Sequence, residues 1–121
     1  MKRILIVDDS ATLRKDLKKL LMPIKNIEII GEAVDSAGAV KLYETLNPDI
    51  IILDIDLKDG NGIEVLTRIK NNSPSPTTIM FTNYSNSAYQ KAAKRLGADY
   101  FFDKTNDVEK LVNTVMELSL K

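Results

Sequence analysis

A chain of 121 residues, 44% hydrophobic and 28% charged, is long enough to close one core and too apolar to remain disordered. Its 17 basic and 17 acidic side chains cancel, which removes the usual ground for binding nucleic acid or an anionic membrane through bulk charge. Cysteine and histidine are both absent, excluding disulfides, thiolate chemistry, cysteine-bound zinc, imidazole bases and phosphorylation of a histidine within the chain.

In chain order, short apolar runs alternate with amphipathic stretches. "RILIV" reads as a first strand, followed by Asp8, Asp9 and a Ser10 N-cap opening a helix with the stripe Leu13, Leu17, Leu20 and Leu21. "IEIIGEAV" is a second strand, and Ala37 to Leu46 a second helix containing Gly38. "DIIILD" is a third strand before a helix striped by Ile63, Leu66 and Ile69. "NNSPSPTT" marks the turn into "TTIMFT", the fourth strand. Ala88, Ala92 and Leu96 then form a stripe of smaller residues. "DYFF" is the fifth strand. Val108, Leu111, Val112 and Val115 stripe the last helix, with Asn106 and Glu109 spaced as a capping box.

Strands that are mostly apolar throughout and alternate with helices imply one α/β domain, residues 1–121, with a doubly wound parallel sheet. No run is long enough to span a bilayer and no signal-peptide pattern opens the chain, so a cytoplasmic location is expected. Ligands of such folds bind in the crevice outside the strand C-termini. Those ends carry Asp8 and Asp9, then Asp54, Thr82 and Lys104.

Each of these is ordinary alone: an Asp pair after a strand is commonly a turn or cap, and a lone lysine a solvated charge. Together they make a specific chemistry. Two adjacent carboxylates at about 4 Å repel by roughly 4 kcal/mol at an effective dielectric of 20. A hard cation would offset that repulsion, and Mg²⁺ favours oxygen ligands and phosphate. Asp54 is placed to act as a nucleophile forming an aspartyl phosphate, with Lys104 and Thr82 steadying phosphoryl oxygens.

The segments "ILIVDDS", "PDIIILDIDLKDGNGIEVL", "IMFT" and "GADYFFDK" resemble the receiver domain of bacterial response regulators, and the resemblance covers the whole chain. It implies a flavodoxin-like (βα)5 fold with strand order 2-1-3-4-5. It also implies Asp54 as phospho-acceptor and Asp8, Asp9, Asp54 and the Asp56 backbone carbonyl as the Mg²⁺ site. Lys104 becomes the phosphate-binding lysine, and Thr82 and Phe101 the switch pair. Asp56 and Tyr84, two residues past the acceptor and the hydroxyl, fall where phosphate lifetime is tuned. The chain would then be a switch rather than an enzyme, changing its surface over the fourth helix, fifth strand and fifth helix. A sensor histidine kinase or phosphotransfer protein would be its donor. Its effector would be unknown, and nucleic acid and membrane would not be direct partners. Lys91, Lys94 and Arg95 against Glu109 and Glu117 offer charge for a phosphorylation-linked homodimer, the unphosphorylated form being mainly monomeric.

The chain departs from the family pattern in places. Leu57-Lys58 stands where Met-Pro is common, with Asp59-Gly60 as an alternative turn. Asn83 stands where a small residue is usual. Thr105 replaces the proline that often follows the lysine through a cis peptide, which predicts a trans or strained bond. Two other readings use the same residues. "ILDIDL" resembles the Asp-x-Asp motif of haloacid-dehalogenase-type phosphatases, with Asp54 and Asp56 as nucleophile and acid, but that leaves Asp8 and Asp9 idle. A pseudo-receiver would dock without being phosphorylated. A calcium loop at "DIDLKDGNGIEV" fails, having Lys58, Asp59 and Val65 at its fifth, sixth and twelfth positions.

Overall fold

The computed structural model describes residues 1–121. Five strands, β1 (Lys2–Val7), β2 (Ile27–Ala33), β3 (Ile50–Leu53), β4 (Thr77–Thr82) and β5 (Tyr100–Asp103), alternate with five helices. The helices are α1 (Ala11–Leu21), α2 (Ser36–Leu46), α3 (Gly62–Lys70), α4 (Ser87–Arg95) and α5 (Val108–Ser119). All strands are parallel, in the order β2-β1-β3-β4-β5. No helix is long and apolar enough to cross a membrane.

Alternation along the central strands divides the core in two. Ile4 and Ile6 of β1 and Ile50 and Ile52 of β3 face one layer with Leu17, Leu21, Leu111 and Val115. Leu5, Val7, Ile51 and Leu53 face the other, with Ala39, Val65, Leu66, Ile69 and Ala93. Both faces are covered, which is why Ile4–Val7 of β1 and all of β3 are apolar at every position.

Two predicted stripes and one predicted cap differ in the structure. Leu20 is 44% exposed, because α1 buries only Leu17 and Leu21 fully. In α4 Ala88 is exposed and only Ala93 is buried, so that helix is lightly anchored. The proposed Asn106 capping box does not form. Asp107 is the N-cap position of α5 without a side-chain cap bond, and its carboxylate instead accepts the Asp103 N–H at 2.9 Å. Ser10 does cap α1, accepting the Leu13 N–H at 3.2 Å.

Away from the crevice, Asp99 ties three elements together. Its Oδ2 accepts from Lys70 Nζ at 2.9 Å and from the Thr78 N–H at 2.8 Å, joining the end of α3 to the starts of β4 and β5. The Lys70 side chain is largely covered, so this pair is worth more than an exposed ion pair.

Candidate functional site

Strand register assembles the site. Val7 pairs with Leu53, so the next residues, Asp8 and Asp54, emerge side by side. The Asp54 N–H donates to the Val7 carbonyl at 3.0 Å and holds them there. Thr82 pairs with Asp103, and the Lys104 N–H donates to the Thr82 carbonyl at 3.1 Å, bringing hydroxyl and ammonium to the same edge.

Lys104 Nζ lies 2.7 Å from Asp8 Oδ2 and 2.8 Å from Asp54 Oδ2. Asp8 and Asp54 are only 2% and 4% exposed. Their other oxygens accept backbone N–H groups, Asp8 Oδ1 from Ser10 at 2.9 Å and Asp54 Oδ1 from Ile55 at 2.7 Å. Burial works against the charge of Lys104, but its bonds to Asp54 and then Asp8 outweigh it and hold the ammonium above its ordinary range. Burial pushes the Asp8 carboxyl up, more than Lys104 and the Ser10 N–H pull it down. The two directions are compatible, since one ammonium cannot neutralise two buried carboxylates.

Asp9 is exposed, and oxygens of Asp8, Asp9 and Asp54 lie within 4.8 Å of one another. Three carboxylates against one ammonium leave two negative charges, a donor set that fits a hard divalent cation. Asp56 lies outside that group: its side chain is exposed, with Oδ2 3.5 Å from the Tyr84 hydroxyl. The charge of Asp56, more than any other group, holds that hydroxyl above its ordinary pKa, so it stays a phenol. Thr82 is fully buried and its Oγ1 accepts the Tyr84 N–H at 3.0 Å.

Phe101 separates from its neighbours as strand alternation requires. Tyr100 and Phe102 stack with centroids 5.9 Å apart and pack on the α1–α5 layer. Phe101 packs alone on the opposite layer and lines a groove of about 300 Å³ with Gln90, Lys91, Lys94 and Ala98.

Several supporting residues escaped the sequence reading. Gly62 is the first residue of α3, and its N–H donates to the Ile55 carbonyl at 2.8 Å. A Cβ there would overlap the Asp54 carbonyl oxygen and lie 2.8 Å from the Asp54 carbonyl carbon. The signal was a glycine opening an otherwise apolar-striped helix. Arg14 on α1 donates to the Asp8 carbonyl at 2.7 Å and to Glu32 at 2.9 Å, bracing the acidic turn. Asp103 organises the loop after Lys104, its Oδ2 accepting from Thr105 and Asn106 N–H groups at 2.9 and 2.8 Å. The Ser85 hydroxyl first, and then these N–H groups, hold Asp103 below the ordinary carboxylate range. The Lys104–Thr105 bond is trans, the single cis peptide being Ser73–Pro74. Gly60, with φ of 81°, makes the turn expected of Asp59-Gly60.

The family model for the response regulator receiver domain matches residues 4–116. The sensory transduction protein LytT of Bacillus cereus is 37% identical over 115 residues, covering 95% of this chain and 46% of LytT. The nitrate/nitrite response regulator NarL of Escherichia coli K12 is 30% identical over 112 residues, 93% of this chain and 52% of NarL. The chain therefore spans about half the length of these relatives. A chain in the crystal structure of the CheX–CheY–BeF3–Mg complex from Borrelia burgdorferi superposes with a TM-score of 0.87 at 30% identity, covering 99% of this chain and 90% of that one.

Proposed function

This chain belongs to the response regulator receiver family, and from that premise we propose that Asp54 accepts a phosphoryl group from a phosphohistidine and thereby resets the α4–β5–α5 surface. Receiver domains are phosphorylation-dependent signalling switches of two-component systems, supplied by histidine kinases, and are not themselves enzymes. The observation that carries the site assignment is the Lys104 ammonium bridging two buried carboxylates beside a buried threonine hydroxyl.

The donor histidine belongs to a kinase or phosphotransfer partner, since this chain has none. An Asp54 carboxylate oxygen forms the new bond to phosphorus, the phosphorus–nitrogen bond breaks, and the imidazole leaves with the electron pair. Asp8, Asp9, Asp54 and the Asp56 carbonyl would hold Mg²⁺, which when bound neutralises charge on phosphoryl oxygens. The Mg²⁺ named with the Borrelia CheY complex supports that choice of metal. Lys104 exchanges its Asp54 contact for a phosphoryl oxygen, and Thr82 turns its hydroxyl toward another. Phe101 then moves inward, and the groove it lines beside α4 changes shape. Asp56 and Tyr84 face each other outside the carboxylate group and set how readily water reaches the phosphoryl group. The effector reads the altered surface. The charges on α4 and α5 favour a homodimer in the phosphorylated form only, in the cytoplasm where kinase and effector meet.

Incubation with acetyl phosphate, with and without Mg²⁺, followed by intact-mass measurement tests the assignment. A single Mg²⁺-dependent phosphoryl adduct, absent from Asp54→Ala, is the expected result. An adduct that persists in Asp54→Ala, or none on the wild-type chain, overturns it.

A further inference from the structure

We propose that Tyr89, in the first turn of α4, holds the Tyr84 ring in its place beside Asp56 and that this ring screens the Asp54 site from water, so that the lifetime of a phosphoryl group there depends on the placement of α4. The proposal rests on Asp54 as the phospho-acceptor. It adds a residue remote from the carboxylates, and a mechanical link, to the role of Tyr84.

Three contacts hold Tyr84, and they act on different parts of it. Its N–H donates to the buried Thr82 Oγ1 at 3.0 Å, which fixes the backbone but not the ring. Its hydroxyl reaches Asp56 Oδ2 only at 3.5 Å, too long to hold the ring alone. The ring meets Tyr89 edge to face, with centroids 5.7 Å apart and planes at 64°. That is the favoured geometry for an aromatic pair. Tyr84 is 44% exposed.

Tyr89 is itself tied to its helix. Its N–H donates to the Asn86 side chain, the N-cap of α4, at 3.1 Å. The Tyr89 backbone therefore moves with α4 and carries the point from which its ring meets Tyr84, and Ala93 is the one residue of α4 that is fully buried. A displacement of this lightly held helix withdraws the support of the Tyr84 ring. The mouth of the site then opens to water.

Water entry matters because of the step it permits. In hydrolysis, a water oxygen forms a new bond to phosphorus and the bond from phosphorus to the Asp54 oxygen breaks. Asp54 leaves with the electron pair as a carboxylate. One water proton stays on the released phosphate and the other passes to solvent. A braced Tyr84 phenol restricts the approach of that water, and an unbraced one does not.

The test is the first-order loss of phosphoryl mass after acetyl phosphate is removed by desalting, with Mg²⁺ present. It compares the wild-type chain with Tyr89→Ala, Tyr89→Phe, Tyr84→Ala and the Tyr84→Ala/Tyr89→Ala double variant. Tyr89→Ala is expected to shorten the lifetime about 2- to 10-fold, the range an aromatic pair contributes. Tyr89→Phe, which keeps the ring, restores it. In the Tyr84→Ala background Tyr89→Ala adds nothing, because the coupling partner is gone. An unchanged or longer lifetime in Tyr89→Ala overturns the proposal, as does an equal effect in both backgrounds or a Phe variant that behaves like Ala. Failure of the wild-type chain to form any adduct would instead overturn the Asp54 assignment, and this inference with it.

Discussion

Gly62→Ala is expected to destabilise the domain by about 3 kcal/mol or more, at the high end for overpacking. The added methyl would overlap the Asp54 carbonyl oxygen and crowd Ile55 Cα at 3.1 Å, and all of these are backbone atoms at or next to Asp54. Backbone pinned between β3 and α3 cannot yield as a side-chain tip can. Gly31→Ala is the control. Its nearest neighbours would be Leu46 Cδ1 at 3.1 Å and Leu5 Cδ1 at 3.3 Å, both ends of flexible side chains, so a loss under about 1 kcal/mol is expected. Urea unfolding midpoints of the two variants measure the difference. Equal costs would mean that the close approach of α3 to the Asp54–Ile55 peptide is not a constraint on this fold. The same displacement moves the Asp54 carboxylate, so Gly62→Ala is also expected to accept phosphate poorly at temperatures where it remains folded.

Lys104→Met separates two properties that an ordinary damaged site would lose together. The ammonium lies within 2.8 Å of Asp8 and Asp54, so it offsets the same negative charge that a divalent cation would offset. Removing it leaves Asp8 and Asp54 with backbone donors alone. Cation affinity should therefore rise, by about tenfold or more given the several kcal/mol that one charge exerts at such distances. Phosphoryl acceptance should fall by about 10²- to 10³-fold, the usual consequence of deleting a preorganised group that stabilises developing charge. Calorimetric titration with Mg²⁺ reads the first effect, and intact-mass time courses with acetyl phosphate read the second. Cation binding that is unchanged or weaker in Lys104→Met would contradict this account of shared charge compensation.

The strands were legible because β1, β3 and β4 are buried on both faces, and Ile-rich runs have few other uses in a chain this short. Their ends then placed Asp8, Asp54, Thr82 and Lys104 on one edge without any tertiary information. Other features depend on contacts that sequence spacing does not carry. Alanines 88, 92 and 93 in α4 mark no particular face by hydropathy, and packing against β5 and α3 selected Ala93. Asp107 displaced Asn106 at the start of α5 because Asp103 orders the preceding turn through its own carboxylate. In that turn Thr105 stands where the family often has proline, and the Lys104–Thr105 peptide is trans. Gly62 and Arg14 support the site through the backbone of Asp54 and Asp8, and neither carries chemistry of its own. The pairing of Tyr84 with Tyr89 spans a loop and a helix cap, with no periodicity to announce it.

Among the carboxylates of this crevice, Asp54 is the one proposed to carry the phosphoryl group. Borohydride reduction of the acetyl-phosphate-treated protein, followed by peptide fragmentation, locates an acyl phosphate directly, because it converts the modified aspartate to homoserine. Homoserine at residue 54 alone is the predicted result. Homoserine at Asp56 or elsewhere, with Asp54 unmodified, would contradict the account.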